Sequence, residues 1–263
     1  MNAALPGEPG GLSLRERLVA GEPLFSTFVK TTSHQTVEVL AATGLDTLVL
    51  DAEHAPFGPE SLDRSLLAAR ACGLPVLVRV PYPRGAAIQQ ALDMGAAGVM
   101  VPHVDSAVVA LDVVRAARYG GTRGYSASPR AGGYGQRGMA EHLRLSDAHT
   151  AVLVQIESGQ AVAQAREIAA VPGVDCLFIG PADLAVSIGA DSPTDPRVTE
   201  AVAQVCEAGR QARCAVGCFV SDVRQVTSLR ALGVAFFVVG SDQALLRAAA
   251  RQAMAGALES MAA

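Results

Sequence analysis

The chain has 263 residues, half of them apolar, with 17% charged residues, 4% aromatics and no tryptophan. That length and an Ala-, Val-, Leu- and Gly-rich composition suit one large barrel domain or two small ones, with helices packed closely on parallel sheet. The net charge of −4, with no basic run, excludes the electrostatic footprint of a nucleic-acid binder, and no uncharged apolar stretch reaches the roughly 18 residues of a membrane span.

In chain order, Met1 to Gly11 is rich in Gly and Pro and lacks a basic segment followed by an apolar one. No secretory signal is expected there, residues 1–12 read as a flexible lead-in, and a cytoplasmic location follows. Short runs of Val, Leu and Ile then recur, apolar throughout rather than at every second residue, as in parallel strands covered on both faces. Eight are predicted, at 24–29, 47–51, 76–80, 98–101, 151–156, 176–179, 215–220 and 235–239. Amphipathic helical stretches fill the intervals at 35–43, 61–72, 86–94, 107–119, 161–170, 197–213, 223–232 and 243–261. Gly44, Gly73, Gly95 and Gly233 stand just ahead of strands, where a left-handed residue closes a helix.

Eight strand–helix pairs predict a single (β/α)8 TIM barrel spanning residues 1–263. A doubly wound open sheet is the alternative, and the lack of a G-x-G-x-x-G after the first strand counts against a dinucleotide site there. The one irregular connection, residues 120–150, follows the fourth strand and is expected over the barrel mouth. The five cysteines, Cys72, Cys176, Cys206, Cys214 and Cys218, are odd in number, contain no C-x-x-C pair and read as reduced buried thiols.

Barrel enzymes build their sites where the strands end. Here the second strand runs into Asp51-Ala52-Glu53-His54-Ala55-Pro56, the third ends at Arg79, the fifth at Gln155-Ile156-Glu157-Ser158 and the sixth at Gly180-Pro181-Ala182-Asp183. Glu157 and Asp183 stand at adjacent strand ends, about 4.8 Å apart in an ideal sheet, so they can share a cation such as Mg²⁺ or Mn²⁺. Taken singly, Glu157 reads as a helix start and Asp183 as a cap. Arg79 suits a carboxylate or a developing oxyanion, or a plain rim ion pair. His54 suits a general base, or a surface loop. His103, after the fourth strand, is a weaker candidate, and Asp93 reads by spacing as a solvated helix end. Lys30 is the sole lysine, so any Schiff-base chemistry would fall to it.

The stretches Leu50 to Pro56, Val78-Arg79-Val80-Pro81, Val154-Gln155-Ile156-Glu157 and Phe178 to Leu184 closely resemble the HpcH/HpaI aldolase family, metal-dependent 2-keto acid (pyruvate) aldolases. The resemblance runs from about Leu24 to Ala250. It implies Glu157 and Asp183 as ligands of Mg²⁺ or Mn²⁺, with Co²⁺ a further option. Gln155, Gly180, Pro181, Ala182 and Asp183 match positions around the keto acid, Ala182 through its backbone. Arg79 matches the transition-state arginine, His54 the base and Asp51 its loop partner. Asp93 matches an acidic residue that supports the histidine from a neighbouring subunit, which replaces the solvated-end reading. A homo-oligomer, hexamer or trimer, is implied, with C-terminal helices exchanged between subunits. The expected reaction is reversible cleavage of 4-hydroxy-2-keto acids to pyruvate or hydroxypyruvate and an aldehyde, so the partners are small molecules.

The first strand, Ser26-Thr27-Phe28-Val29-Lys30, departs from members that carry Gly and Trp there, and the stretch from Arg123 to Gly135 departs from the best-known aldolases. Both are expected beside the aldehyde. Three rivals remain: a Schiff-base aldolase through Lys30, an acyl-CoA lyase drawing on Arg123, Arg130 and Arg137, and a non-catalytic keto-acid binder.

Overall fold

A computed structural model describes residues 12–83 and 85–262. Of the flexible lead-in expected over residues 1–12, all but Leu12 lies outside the described residues. Eight strands appear: β1 (Leu24–Val29), β2 (Leu48–Asp51), β3 (Val76–Arg79), β4 (Gly98–Val101), β5 (Ala151–Ile156), β6 (Cys176–Ile179), β7 (Ala215–Val220) and β8 (Phe236–Ser241). Each pairs in parallel with the next and β8 closes on β1. The barrel therefore replaces the open-sheet alternative, and each expected strand is present within two residues.

The helices in chain order are α1 (Leu14–Val19), α2 (His34–Ala41), α3 (Pro59–Ala71), α4 (Gly85–Asp93), α5 (Ala107–Ala117), α6 (Met139–His149), α7 (Gly159–Ala163), α8 (Ala165–Ala169), α9 (Pro181–Ser187), α10 (Pro196–Ala212), α11 (Val226–Ala231) and α12 (Asp242–Ala262). Local chemistry explains several boundaries. Ser106, Ser158 and Asp195 accept hydrogen bonds from the first turns of α5, α7 and α10, which satisfies amides that have no partner within the helix. Gln164 breaks the expected 161–170 helix into α7 and α8.

Two cores result from the period-2 alternation of the strands. Inside the barrel stand Leu24, Phe28, Val49, Leu77, Met100, Leu153, Phe178, Phe236 and Val238, and Leu14 and Leu18 of α1 plug its floor. The opposite strand faces, including Leu48, Leu50, Val78, Val99, Val154 and Ile179, pack under the helices. Gly98 marks the tightest approach, since a Cβ there would sit 2.2 Å from the Ala151 carbonyl oxygen.

The segment 120–150 does not cover the mouth. Helix α5 has already returned the chain to the end where strands begin. Part of the segment coils as α6, which packs on α1, and part crosses the end of α4, where Arg130 hydrogen-bonds the Met94 carbonyl at 2.6 Å. Nor do α1, α6 and α9 appear among the expected helices. They are short or weakly amphipathic, and two of them flank a Gly-rich or Pro-rich stretch.

Candidate active site

Continuing the inward alternation past Val49, Leu77 and Leu153 brings Asp51, Arg79, Gln155 and Glu157 to the barrel's upper layer. Asp51 and Arg79 are register partners on β2 and β3. Arg79 donates from Nε to Asp51 Oδ1 at 2.9 Å and from Nη2 to Oδ2 at 2.8 Å. Its guanidinium also lies 4.4 Å from the centre of the Phe28 ring. Lys30 Nζ stands 3.2 Å from the same Asp51 carboxylate. Burial alone would raise the Asp51 carboxyl, but the Arg79 hydrogen bonds and charge, the His54 amide and Lys30 outweigh it and hold the group below its ordinary range.

The loop after β2 curls over this pair. Asp51 Oδ1 accepts the backbone N–H groups of Glu53 and His54 at 3.3 and 3.1 Å. His54 is thus held by Asp51 through its main chain, while its exposed ring has Glu53 as its nearest acid, Nε2 to Oε2 at 3.7 Å. Glu53 turns inward. Its Oε2 is buried without an aligned hydrogen bond, although Arg79 Nη1 lies 3.2 Å away. Burial raises the Glu53 carboxyl, and neighbouring Asp51 and Asp183 add to that, against the opposing pull of Arg79 and His103.

Glu157 and Asp183 meet beside Gly180. A Cβ on Gly180 would stand 3.6 Å from Glu157 Oε2 and 3.7 Å from Asp183 Oδ2, so both carboxylates border one small space that glycine leaves open. Gly180 precedes α9, Pro181 opens it, and Asp183 lies in its exposed first turn. Ser158 rather than Glu157 caps α7, and Asp183 stands in the first turn of α9 without making a capping hydrogen bond. Glu157 is buried, and burial with the nearby Glu53 and Asp183 charges raises its carboxyl, opposed by the His103 N–H. Gln155 Nε2 donates to Glu157 Oε2 at 2.5 Å, and Gln155 Oε1 is buried with no partner.

His103 belongs here too. Its backbone N–H donates to Glu157 Oε1 at 2.8 Å, Nδ1 lies 3.0 Å from that oxygen, and Nε2 lies 3.3 Å from Glu53 Oε1. Glu53 and His103 were underrated by sequence reasoning. Glu53 sits inside the Asp51–Pro56 motif, and His103 follows a strand end, but neither spacing announces that the two residues meet.

Asp93 is elsewhere. It ends α4 and pairs with Arg123 at 2.9 Å, beside a cleft of about 640 Å³ lined by Gln89, Gln90, Met94, Arg130 and Tyr134. The stretch around Arg123 lies with it, apart from the first-strand residues of the same chain. Arg123 is spent on Asp93, Arg130 on Asp63 and the Met94 carbonyl, and Arg137 on the Ala131 carbonyl. Among the described residues no group of three or more His, Cys, Asp or Glu side chains has the arrangement to hold a metal by itself. Two carboxylates with open positions are what the strand ends provide.

A closed barrel with an Arg–Asp pair and converging carboxylates inside the ends of its strands has the layout of a (β/α)8 enzyme. The HpcH/HpaI aldolase/citrate lyase family model matches residues 24–249. A hydroxypyruvate/pyruvate aldolase of Paraburkholderia phytofirmans is 37% identical over 92% of this chain and 95% of its own length. A 4-hydroxy-2-oxo-heptane-1,7-dioate aldolase of Escherichia coli is 34% identical over 90% of this chain and 92% of its own. The crystal structure of an HpcH/HpaI aldolase/citrate lyase family protein from Burkholderia cenocepacia superposes with a TM-score of 0.88 at 37% identity, covering 93% of this chain and 98% of that one. The chain belongs to the HpcH/HpaI aldolase/citrate lyase family, and it is a carbon–carbon lyase of the aldolase kind.

Proposed function

We propose that this aldolase cleaves 4-hydroxy-2-keto acids reversibly to pyruvate or hydroxypyruvate and an aldehyde, with a divalent cation, Mg²⁺ or Mn²⁺, held by Glu157 and Asp183. One observation carries the reading: the approach of Glu157 Oε2 and Asp183 Oδ2 to the same space beside Gly180. The donor set fits a hard cation, since two carboxylates leave positions for substrate oxygens and water. The raised Glu157 carboxyl, crowded by two further acids, marks negative charge that a cation would relieve. The aldolases named above supply the substrate class.

When bound, the cation supplies Lewis-acid charge that favours the enolate form of the keto acid. The chain's own groups do the rest. Gln155, with its free buried carbonyl, and the backbone from Gly180 through Pro181 to Ala182 line the keto-acid side. His54, exposed and tethered by Asp51, exchanges the proton at C3 directly or through a water. In synthesis C3 then bonds to the aldehyde carbon, and Arg79 stabilises the oxyanion that forms there before it takes a proton. In cleavage the 4-hydroxyl gives its proton to the base or to water, the same bond breaks to leave the aldehyde, and C3 of the enolate takes up a proton. Asp51 keeps the Arg79 fork in place and holds the His54 main chain beside it.

We also assign Asp93 to the histidine of a neighbouring subunit. Its place far from His54 in its own chain and beside an open cleft supports this. Helix α12 supports an oligomer, hexamer or trimer, with this helix exchanged. Every residue from Leu245 to Met261 is exposed, including Leu246, Leu258 and Met261. Among the described residues no helix is long and apolar enough to cross a membrane, and all five cysteines are free. Those free thiols support a cytoplasmic setting.

The test is pyruvate release from a panel of 4-hydroxy-2-keto acids, followed with lactate dehydrogenase. Glu157→Gln and exhaustive chelation should each abolish turnover, and full activity after either would sink the metal assignment. A malyl-CoA arm separates the acyl-CoA reading, and metal-dependent deuterium exchange at pyruvate C3 separates an enzyme from a mere binder.

A further inference from the structure

We infer that His103 is the positioning residue of the candidate metal centre, fixing Glu157 by one oxygen so that the other faces Asp183, and bracing Glu53 across the mouth. The inference rests on the cation reading above and concerns a residue to which that reading gives no part.

The geometry divides the Glu157 carboxylate in two. Oε1 takes the His103 backbone N–H at 2.8 Å and faces Nδ1 of the same residue at 3.0 Å. Oε2 is the atom on the Gly180 side, opposite Asp183 Oδ2. With Oε1 on the His103 N–H and beside its ring, and Oε2 taking the Gln155 Nε2 donor at 2.5 Å, the carboxylate is held from both sides, and His103 supplies the hold on the oxygen away from Asp183. The far ring nitrogen of His103 reaches Glu53 Oε1 at 3.3 Å, so one imidazole spans two acids that would otherwise repel each other.

Two further facts set His103 apart from a packing residue. Its side chain is 63% exposed, so the ring fills no core space. Its backbone is left-handed, with φ at 56°, a conformation uncommon outside glycine that histidine, like Asn and Asp, adopts more readily than most residues. Tyr134 and Arg213 also have φ of 56°, and at Arg213 the turn closes α10. His103 closes no helix, and its turn aims both the N–H and the ring at Glu157.

Groups that orient metal ligands are typically worth 10–100-fold in metal affinity. Binding of Mn²⁺ alone, measured by calorimetry and by the electron paramagnetic resonance signal of free ion, tests the role without turnover. Wild type should bind, and Glu157→Gln should not. His103→Ala should bind about tenfold more weakly. His103→Gly, which frees the backbone and keeps the N–H, should also bind more weakly, and it serves if the alanine variant folds poorly. His103→Asn, which tolerates the left-handed turn and keeps a polar group, should recover part of the loss. A ring that serves only the fold would lower the melting temperature and leave the Mn²⁺ constant unchanged. His103→Ala and His103→Gly that bind Mn²⁺ like wild type overturn the inference alone. Wild type without Mn²⁺ affinity, or Glu157→Gln with full affinity, overturns the metal reading and this inference with it.

Discussion

Asp51 and Arg79 face each other at register-paired positions on β2 and β3 and share a two-pronged ion pair inside the barrel mouth, at 2.9 and 2.8 Å. Both are buried, so the pair is strong only while both members remain. Arg79→Ala leaves a buried carboxylate with Lys30 as its remaining cation and should cost about 3–5 kcal/mol of stability, visible in thermal melts. Arg79→Lys keeps the charge but loses the planar fork. It should melt near wild type and lose 100-fold or more in kcat, on the order of one lost oxyanion donor. Equal kcat for the lysine variant would remove Arg79 from the chemistry.

The acids divide by the direction of their titration. Asp51, held low, contributes stability that is present above the ordinary 3.8 and lost as pH falls through its depressed value. Glu157, held high by burial and neighbouring acids, does the reverse: the folded state favours its protonated form, and that advantage is lost as pH rises through the raised value. Without metal, Glu157→Gln should therefore melt above wild type at pH 7–8, with the gap closing towards the ordinary 4.5. Saturating Mn²⁺ should invert the order, since a ligand at 100 times its Kd stabilises by about 2.7 kcal/mol. A variant that melts below wild type in EDTA at pH 8 contradicts the assigned direction.

Lys30 lies against Asp51 at 3.2 Å, an ion-pair partner rather than a nucleophile in an apolar pocket. Borohydride added with pyruvate should leave no mass increase on Lys30. A trapped adduct, together with activity in EDTA, would establish the Schiff-base route.

Gly98 pairs with Ala151 where β4 meets β5. A methyl group there would lie 2.2 Å from a carbonyl oxygen, too close for any side-chain rearrangement to relieve. Gly98→Ala should destabilise by several kcal/mol, beyond the ordinary range for single substitutions, and should lower soluble yield. A melting temperature within two degrees of wild type, roughly 1 kcal/mol or less, would show that the strands part easily here.

The α12 stripe of Leu246, Met254, Leu258 and Met261 spans about 120° of the helix surface. Leu246→Glu with Leu258→Glu should reduce the mass seen by light scattering to that of one 27.0 kDa chain. If Asp93 serves a neighbour, kcat should fall with the mass. An assembly that survives the pair of substitutions rules out this face as the contact.

Much of this molecule is legible before folding is considered. Eight apolar runs with helical intervals dictate a parallel barrel because only that closure covers both faces of every strand without leaving an edge. The alternation inside each run then puts Asp51, Arg79, Gln155 and Glu157 on the inner face, and their position at strand ends places them at the mouth. Tertiary structure alone decided which of those groups touch. The family resemblance paired Asp51 with His54, but the carboxylate takes the His54 amide and gives its side-chain bonds to Arg79, 28 residues on. The segment 120–150 read as a mouth loop, yet the reversal of direction through α5 carries it to the other end. His103 and Glu53 lie 50 residues apart, and a ring nitrogen and a carboxylate oxygen come within 3.3 Å only because barrel closure brings their loops over the same opening. Local periodicity records which face a residue takes. Contacts across the mouth depend on closure and loop paths, which no local pattern encodes.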